Sequence, residues 1–514
     1  MLNSNCLGKS VCITVQDGRT CESLPNETVL SALASSGIAL TAPCGGQGIC
    51  GKCGVTLLKG KVKLATGTEI QPGGTFSACR GMALSDITIE LPKEDTQGFE
   101  KRLPSNANGQ TNGQKVFRAG AGIDIGTTTV QLELICLDTG KVLETVSAFN
   151  AQRVFGADVM SRINAARNGK TKELFSAINR QISEMLQYCI RAWDLPCIEQ
   201  CTVSGNTTML HLFCGIDPSL MGEVPFTPVF LEERTFPGEH FSLPALNVTV
   251  LPGISAFIGA DIVSGLAFLD IFNKNENSLF VDIGTNGEMA LWKKDDKRLL
   301  CCSTAAGPCF EGAEISCGMA SVPGAINRVY LYAGQPKFDT LGNLPPMGIC
   351  GSGLIDVMAV MKELSVIDET GLLNDEYVEN GFPVTDNIKI SQKDIRQFQL
   401  AKSAIFSGIT VLCKRAGLMG FSQLGSVFIA GGLGYYLNLE NAINVGLLPQ
   451  GFEGKKGGVK QTEVCGNTSL KGAVKNLSDP AFLLYCREIA ARAETMEIAS
   501  ANDFAEAFVE NMLF

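Results

Sequence analysis

Two stretches of this 514-residue chain follow one plan, and the repetition limits the fold more than any other feature. "GIDIGTTTVQLELICLDTGKVL" (122–143) and "FVDIGTNGEMALWKKDDKRLL" (280–300) each run an apolar strand into Asp-Ile-Gly-Thr and a polar turn, then a second strand, a hairpin and a third strand. Asp124 and Asp282 stand 158 residues apart, about the length of one domain. The spacing predicts one α/β fold used twice, over 117–275 and 276–514. Strands such as "VQLELICL" and "SLFVDIG" alternate with long amphipathic segments at 171–193 and 391–416, the second opening on the capping-box-like "SQKD".

What precedes the repeat is built differently. Residues 1–94 read as a small β-rich domain. "KSVCITVQDG" alternates like a strand and ends in a glycine turn. "NETVLSALASSGI" has an Asn cap and helical spacing, and "CGVTLLKG", "KVKLAT" and "DITIELP" give three more short strands. Strands and one helix around a cysteine loop suggest a β-grasp layout. Residues 95–116 are polar, rich in Gly, Asn and Gln and almost free of apolar residues, which predicts a flexible linker.

Composition excludes several classes. Net charge is −10 and no basic run exceeds two residues, which argues against nucleic acid and anionic membrane surfaces. The stretch 251–272 is apolar but carries Asp261 near its middle and four Gly or Pro breakers, so a membrane span is rejected. The start lacks a secretory pattern, and 20 cysteines scattered through a long chain read as reduced thiols of a cytoplasmic protein. With only His211 and His240 present, histidine-based catalysis is disfavoured, and His211 in "MLHLFCG" reads as a core or hinge residue.

"APCGGQGICGKCGV" (42–55) concentrates Cys44, Cys50 and Cys53, with Cys79 completing C-x5-C-x2-C-x25-C. Four thiolates can ligate two sulfide-bridged irons, and the glycines permit a loop whose N–H groups point at sulfur. A structural zinc site and unrelated thiols are the rival readings. Zinc sites usually pair C-x2-C with a second pair, whereas here the fourth ligand is a single cysteine. The stretch resembles the ferredoxins, closest to the [2Fe–2S] domains fused to larger enzymes.

"DIGTTT" (124–129) and "DIGTNGE" (282–288) place Asp at a strand end, then Gly, then hydroxyl or amide residues in a tight turn. Such turns offer N–H and O–H groups to phosphate oxygens, and the Asp can hold Mg²⁺ through waters. The candidate phosphate contacts are Gly126, Thr127, Thr128 and Thr129, then Gly284, Thr285, Asn286 and Gly287. No P-loop is present. The pair resembles the ASKHA superfamily of sugar kinases, Hsp70 and actin, which implies a duplicated ribonuclease H-like domain. By that resemblance Gly431, Gly432 and Gly434 in "FIAGGLG" belong to an adenosine motif, "SGNTTM" (204–209) and "GNTSLKGA" (466–473) are connecting segments, and the cofactors are ATP and Mg²⁺.

The combination, with "GPCFEGAEISCGM" (307–319) and "GICGSGLIDVM" (348–358), resembles the reductive activators of corrinoid proteins. The resemblance implies an ATP hydrolase that passes an electron from a [2Fe–2S] cluster to the Co(II) corrinoid of a methyltransferase system and restores Co(I). It implies a corrinoid-protein partner, an upstream electron donor and a homodimer. One departure stands out: the best-known members carry an extra domain between linker and ATPase, whereas here "AGIDIG" follows the linker almost at once. The catalytic candidates are Asp124, Asp282 and Glu288. Asp158 and Asp261 are further candidates to orient water, and each of the three non-hairpin-tip carboxylates has a capping or solvated role as its bland alternative. Cys301, Cys302, Cys309, Cys317 and Cys350 fit no usual cluster spacing and read as buried apolar groups. Three rival functions are a small-molecule kinase with a fused ferredoxin, an activator of another low-potential metalloenzyme, and a plain electron carrier.

Overall fold

The structure is a computed structural model. It describes residues 10–25, 27–36, 38, 40, 53–92, 100–102, 117–454, 458–498 and 500–514. Two compact units divide between Val250 and Leu251.

The first unit opens with a five-stranded sheet. Strands β1 (Val11–Val15), β2 (Thr20–Ser23), β3 (Gly54–Lys59), β4 (Thr75–Ser77) and β5 (Ile87–Glu90) lie in the order β2-β1-β5-β3-β4. β1 runs parallel to β5 and antiparallel to β2. The alternation predicted for "VCITV" holds, since Ile13 and Val15 are buried and pack with Val29, Ala32 and Leu33 of helix α1 (Val29–Ser35). This is the expected β-grasp arrangement. The cap of α1 is Thr28, whose side chain accepts from the Ser31 N–H at 3.2 Å, and not the expected Asn26, which lies outside the described residues. The linker also departs from expectation. Glu100–Arg102 form a strand, β6, whose backbone pairs with residues 145–147. A polar sequence does not prevent this, because an edge ladder needs only main-chain groups.

The predicted duplication is present. In the first unit β7 (Ala119–Ile125), β8 (Thr129–Cys136) and β9 (Val142–Phe149) form an antiparallel meander. β10 (Ile198–Gly205) lies parallel to β7, and β12 (Ala245–Val250) parallel to β10. Edge strands β11 (Arg234–Pro237) and β6 complete the order β11-β12-β10-β7-β8-β9-β6. In the second unit β13 (Ser278–Ile283), β14 (Gly287–Lys293) and β15 (Arg298–Thr304) repeat the meander. β16 (Ser426–Ala430) and β17 (Gln461–Gly466) repeat the two parallel strands, and β18 (Ala493–Thr495) closes the other edge.

Each parallel return needs a crossover, and helices supply it. α2 (Val159–Ala165) and α3 (Thr171–Trp193) serve the first copy, α6 (Gly351–Glu363) and α7 (Gln392–Arg415) the second. α3 spans the predicted 171–193. α7 opens on the predicted capping box, in which Ser391 and Asp394 satisfy each other's backbone N–H. Between β10 and β11 lies α4 (Thr207–Phe213), and between β16 and β17 lies α8 (Leu439–Asn444).

The stretch 251–272 contains α5 (Ala260–Phe268), and among the described residues no helix is long and apolar enough to cross a membrane. α5 packs within the second unit against α9 (Thr468–Ser478). The approach is close: a Cβ on Gly265 would lie 2.7 Å from Thr468 Oγ1, and one on Gly472 would lie 2.5 Å from the Ser264 carbonyl.

Candidate functional site

Cys53 sits just before β3 and is 1% exposed, while Cys79 follows β4 and is partly exposed. The Ala78 N–H donates to the Cys53 carbonyl at 2.8 Å, so the two thiols come from hydrogen-bonded neighbouring segments. Cys44 and Cys50 lie outside the described residues. The two thiols that are described fit an all-thiolate iron site. Among the described residues no three or more Cys, His, Asp or Glu side chains, the mid-chain cysteines included, are placed to hold a metal ion. Cys301 and Cys302, successive on β15, face opposite sides and enter different apolar cores. Burial pushes the Cys301 and Cys317 thiols up to about 12, so they stay protonated.

The first hairpin turn, Gly126–Thr128, is held from beneath. The Asn150 side-chain amide donates to the Gly126 carbonyl at 2.8 Å, and the Asn150 N–H to the Thr128 carbonyl at 2.7 Å. Between them Arg162, fully buried on α2, donates to the Thr127 carbonyl at 2.5 Å and to the Gly156 carbonyl at 3.0 Å. In a trans peptide the N–H points away from its carbonyl. Tying Gly126 and Thr127 carbonyls to the core therefore turns the Thr127 and Thr128 N–H groups outward, as a phosphate site requires. Gly126 is required by space, because a Cβ there would lie 2.7 Å from the Thr129 carbonyl.

The second turn is tighter. Gly284 N–H donates to Asn286 O, where Gly126 N–H reaches on to Thr129 O. Across the ladder the two copies differ at one register position: Asp124 pairs with Gln131, but Asp282 pairs with Glu288. Cross-strand partners share a face, so the two carboxylates are neighbours. Glu288 is 6% exposed. Burial, then the charges of Asp261 and Asp282, hold its carboxyl well above the ordinary range, against an opposing hydrogen bond from Asn286. Thr285 already has a partner, since Glu311 accepts its N–H at 2.9 Å and its Oγ1 at 2.8 Å.

The glycine-rich return is drawn to the same spot. Gly431, at φ +97°, leaves no room for a Cβ, which would lie 2.4 Å from the Ile283 carbonyl and 2.8 Å from Asp282 Oδ1. Gly205 holds the matching place in the first copy, 2.6 Å from the Ile125 carbonyl by the same measure. Gly432 has open space above it, and Gly432–Tyr435, including Gly434, form one 3-10 turn. The second unit thus brings together Asp282, Glu288, Asp261 and Gly431. Asp158 lies in the first unit, where its side chain caps α2, accepting from the Ser161 N–H at 2.7 Å. His211 is a buried core residue, one of its two expected roles. Its Nε2 accepts from the Val229 N–H at 3.0 Å, its Nδ1 donates to the Thr207 carbonyl at 2.8 Å, and burial lowers its pKa to about 4.

Sequence reasoning missed Asn150, Arg162 and Glu311. The one visible signal was an arginine inside the otherwise apolar helix face of "VMSRINAA".

Family models match almost the whole chain. The 2Fe-2S iron-sulfur cluster binding domain matches residues 13–83, the RACo middle region 119–274, and the C-terminal ASKHA domain of RACo 276–514. The corrinoid activation enzyme RamQ of Eubacterium limosum is 33% identical over 426 residues, covering 77% of this chain and 70% of that protein. The Co(II) methylated amine-specific corrinoid protein reductase of Methanosarcina barkeri is 30% identical over 389 residues, 68% of each chain. A solved structure, the reductive activator for a corrinoid, iron-sulfur protein, superposes with a TM-score of 0.71 at 30% identity over 98% of both chains. These matches overturn the expectation that a middle region is missing. The stretch after the linker is that region, and the first copy of the repeated fold makes it up.

Proposed function

This chain belongs to the family of corrinoid reductive activators, enzymes with a ferredoxin domain and an ASKHA domain, and from that premise we propose its reaction. ATP binding and hydrolysis drive one electron from the iron–sulfur cluster to the Co(II) corrinoid of a methyltransferase corrinoid protein, returning it to Co(I). Cys44, Cys50, Cys53 and Cys79 hold the cluster, which supplies single electrons at low potential. An upstream donor protein refills it. We further propose a cytoplasmic homodimer, consistent with described cysteines that are all free thiols.

The reading is supported above all by one pairing: an all-thiol β-grasp domain shares a chain with a duplicated sheet whose turns are shaped for phosphate. A plain carrier needs no second part, and a kinase needs no first. The Thr127 and Thr128 N–H groups and the Thr285 donors bind phosphate oxygens, and Asp124 and Asp282 hold Mg²⁺ through water. Glu288 orients the attacking water; it must be ionised to take up that water's proton, so the burial that raises its pKa confines the role to molecules whose Glu288 has released its own. The energetic need is plain. Plant-type clusters sit near about −400 mV, and each ~59 mV uphill costs about 1.4 kcal/mol per electron, a gap that ATP can offset over several such steps.

The test uses the full chain, a chemical reductant and a Co(II) corrinoid protein, with cobalt absorbance followed with and without Mg-ATP. ATP-dependent appearance of Co(I) is expected. Equal reduction without nucleotide would sink the proposal.

A further inference from the structure

We propose that Glu311 is a resident phosphate mimic, a latch that closes the second hairpin until nucleotide displaces it. The inference rests on the nucleotide reading given above and adds a regulatory step to it. The Glu311 carboxylate accepts the Thr285 N–H and the Thr285 hydroxyl together, at 2.9 and 2.8 Å. Those are the two donors that a β- or γ-phosphate would use. The carboxylate also lies over the bare Cα of Gly284, where a Cβ would be 3.3 Å from Oε1. An anion thus already fills the cradle formed by the turn. A phosphate cannot share it, because both groups are negative and both need the same hydrogens.

The local chain is built to let go. Glu311 ends a 3-10 turn, Pro308–Glu311, between two left-handed glycines, Gly307 at φ +81° and Gly312 at φ +83°. Gly307 has nothing within 4 Å of where a Cβ would be, so this pivot is unpacked. Gly312 is the opposite case, since a Cβ there would lie 2.3 Å from the Met319 carbonyl. Between the two glycines Cys309 and Phe310 are buried, so Glu311 leaves the hairpin by a swing of its side chain, and any further shift turns about Gly307 and presses on that buried pair. Farther along, Ser316 N–H and Oγ donate to the two carboxylate oxygens of Asp394 at 2.6 and 2.5 Å. Asp394 is the capping-box residue of α7 and is fully buried. The segment that carries the latch is thus bolted at its far end to the first turn of a 24-residue helix. Filling the hairpin with phosphate moves Glu311 and loads that joint, which gives nucleotide occupancy a mechanical output inside the second unit.

A closed latch also lowers apparent affinity, since the competent state is only a fraction of the molecules. Binding of Mg-AMP-PNP to the full chain, measured by calorimetry, tests this. Glu311→Gln and Glu311→Ala should bind about tenfold more tightly than the wild type. The nucleotide-free melting temperature of each variant should fall, while that of its AMP-PNP complex should not. Unchanged or weaker binding in Glu311→Gln, or an equal loss of stability with and without nucleotide, would overturn the latch and leave the nucleotide reading standing. If neither the wild type nor the variants bind AMP-PNP, the nucleotide reading itself fails and the latch with it.

Discussion

The two Asp-Ile-Gly-Thr hairpins share a strand plan, a sheet order and a glycine pressed on the same isoleucine carbonyl, yet they present opposite chemistry. The first has its turn carbonyls gathered by Asn150 and Arg162, and the residue beside Asp124 is the neutral Gln131. The second is one residue shorter, sets the acid Glu288 beside Asp282, and keeps Thr285 occupied by Glu311. One copy is a fixed cradle. The other gathers negative charge that only a cation or a proton can relieve. Duplication supplied the frame, and the residue at one register position, Gln131 in one copy and Glu288 in the other, sets what faces the aspartate.

The largest effect should come from erasing that difference. Glu288→Gln makes the second hairpin resemble the first and should lower ATP turnover by about 10²–10⁴-fold, the usual range for a lost general base. Nucleotide affinity should change far less. A steady-state phosphate-release assay beside a binding isotherm reads both, and near-normal turnover would remove Glu288 from the chemistry.

The units should next separate by pH. In the first unit, folded His211 stays neutral to about pH 4, whereas the unfolded residue protonates near 6.5. The unfolded state binds the extra proton between those values. Stability is complete above pH 6.5 and is lost on acidification, by roughly 3 kcal/mol at pH 4. Glu288 acts with the other sign. The folded second unit keeps a proton that the unfolded chain releases above the ordinary carboxyl range, so raising the pH there costs stability. Calorimetric scans from pH 4 to 8 should show two transitions moving in opposite directions. Glu288→Gln should flatten the second, and parallel movement would break the comparison.

The smallest effect tests the cradle. Arg162→Met keeps the buried volume but leaves the Thr127 carbonyl without its donor, at a cost of about 2 kcal/mol in denaturant unfolding of the first unit. The same variant should weaken AMP-PNP binding severalfold. Unaltered binding would mean that the carbonyl anchoring does not aim the N–H groups.

What could be read from the sequence was what is local. Strand alternation, the Asp-Ile-Gly-Thr turns and the Ser391 and Asp394 cap each lie within a few residues or within one repeated pattern. What could not be read depends on partners far apart. Glu311 meets Thr285 across 26 residues, and Arg162 reaches Thr127 across 35. α5 follows the first copy in sequence but fits the small-residue face of α9, a choice decided by Gly265 and Gly472. β6 escaped notice because Glu-Lys-Arg carries no strand pattern, and its pairing is made by the main chain alone.

That three-residue strand sets a leash. With β6 seated on the sheet edge, only residues 93–99 join it to the last described residue of the front domain, Pro92, a tether of roughly 25 Å at full stretch. Should the strand peel away, the free length runs to residue 116 and the span grows to roughly 80 Å. Three rungs of an edge ladder therefore set the greatest distance the front domain can stand from the sheet, and a proline at Lys101 would lengthen that limit without touching β1–β5 or either hairpin turn.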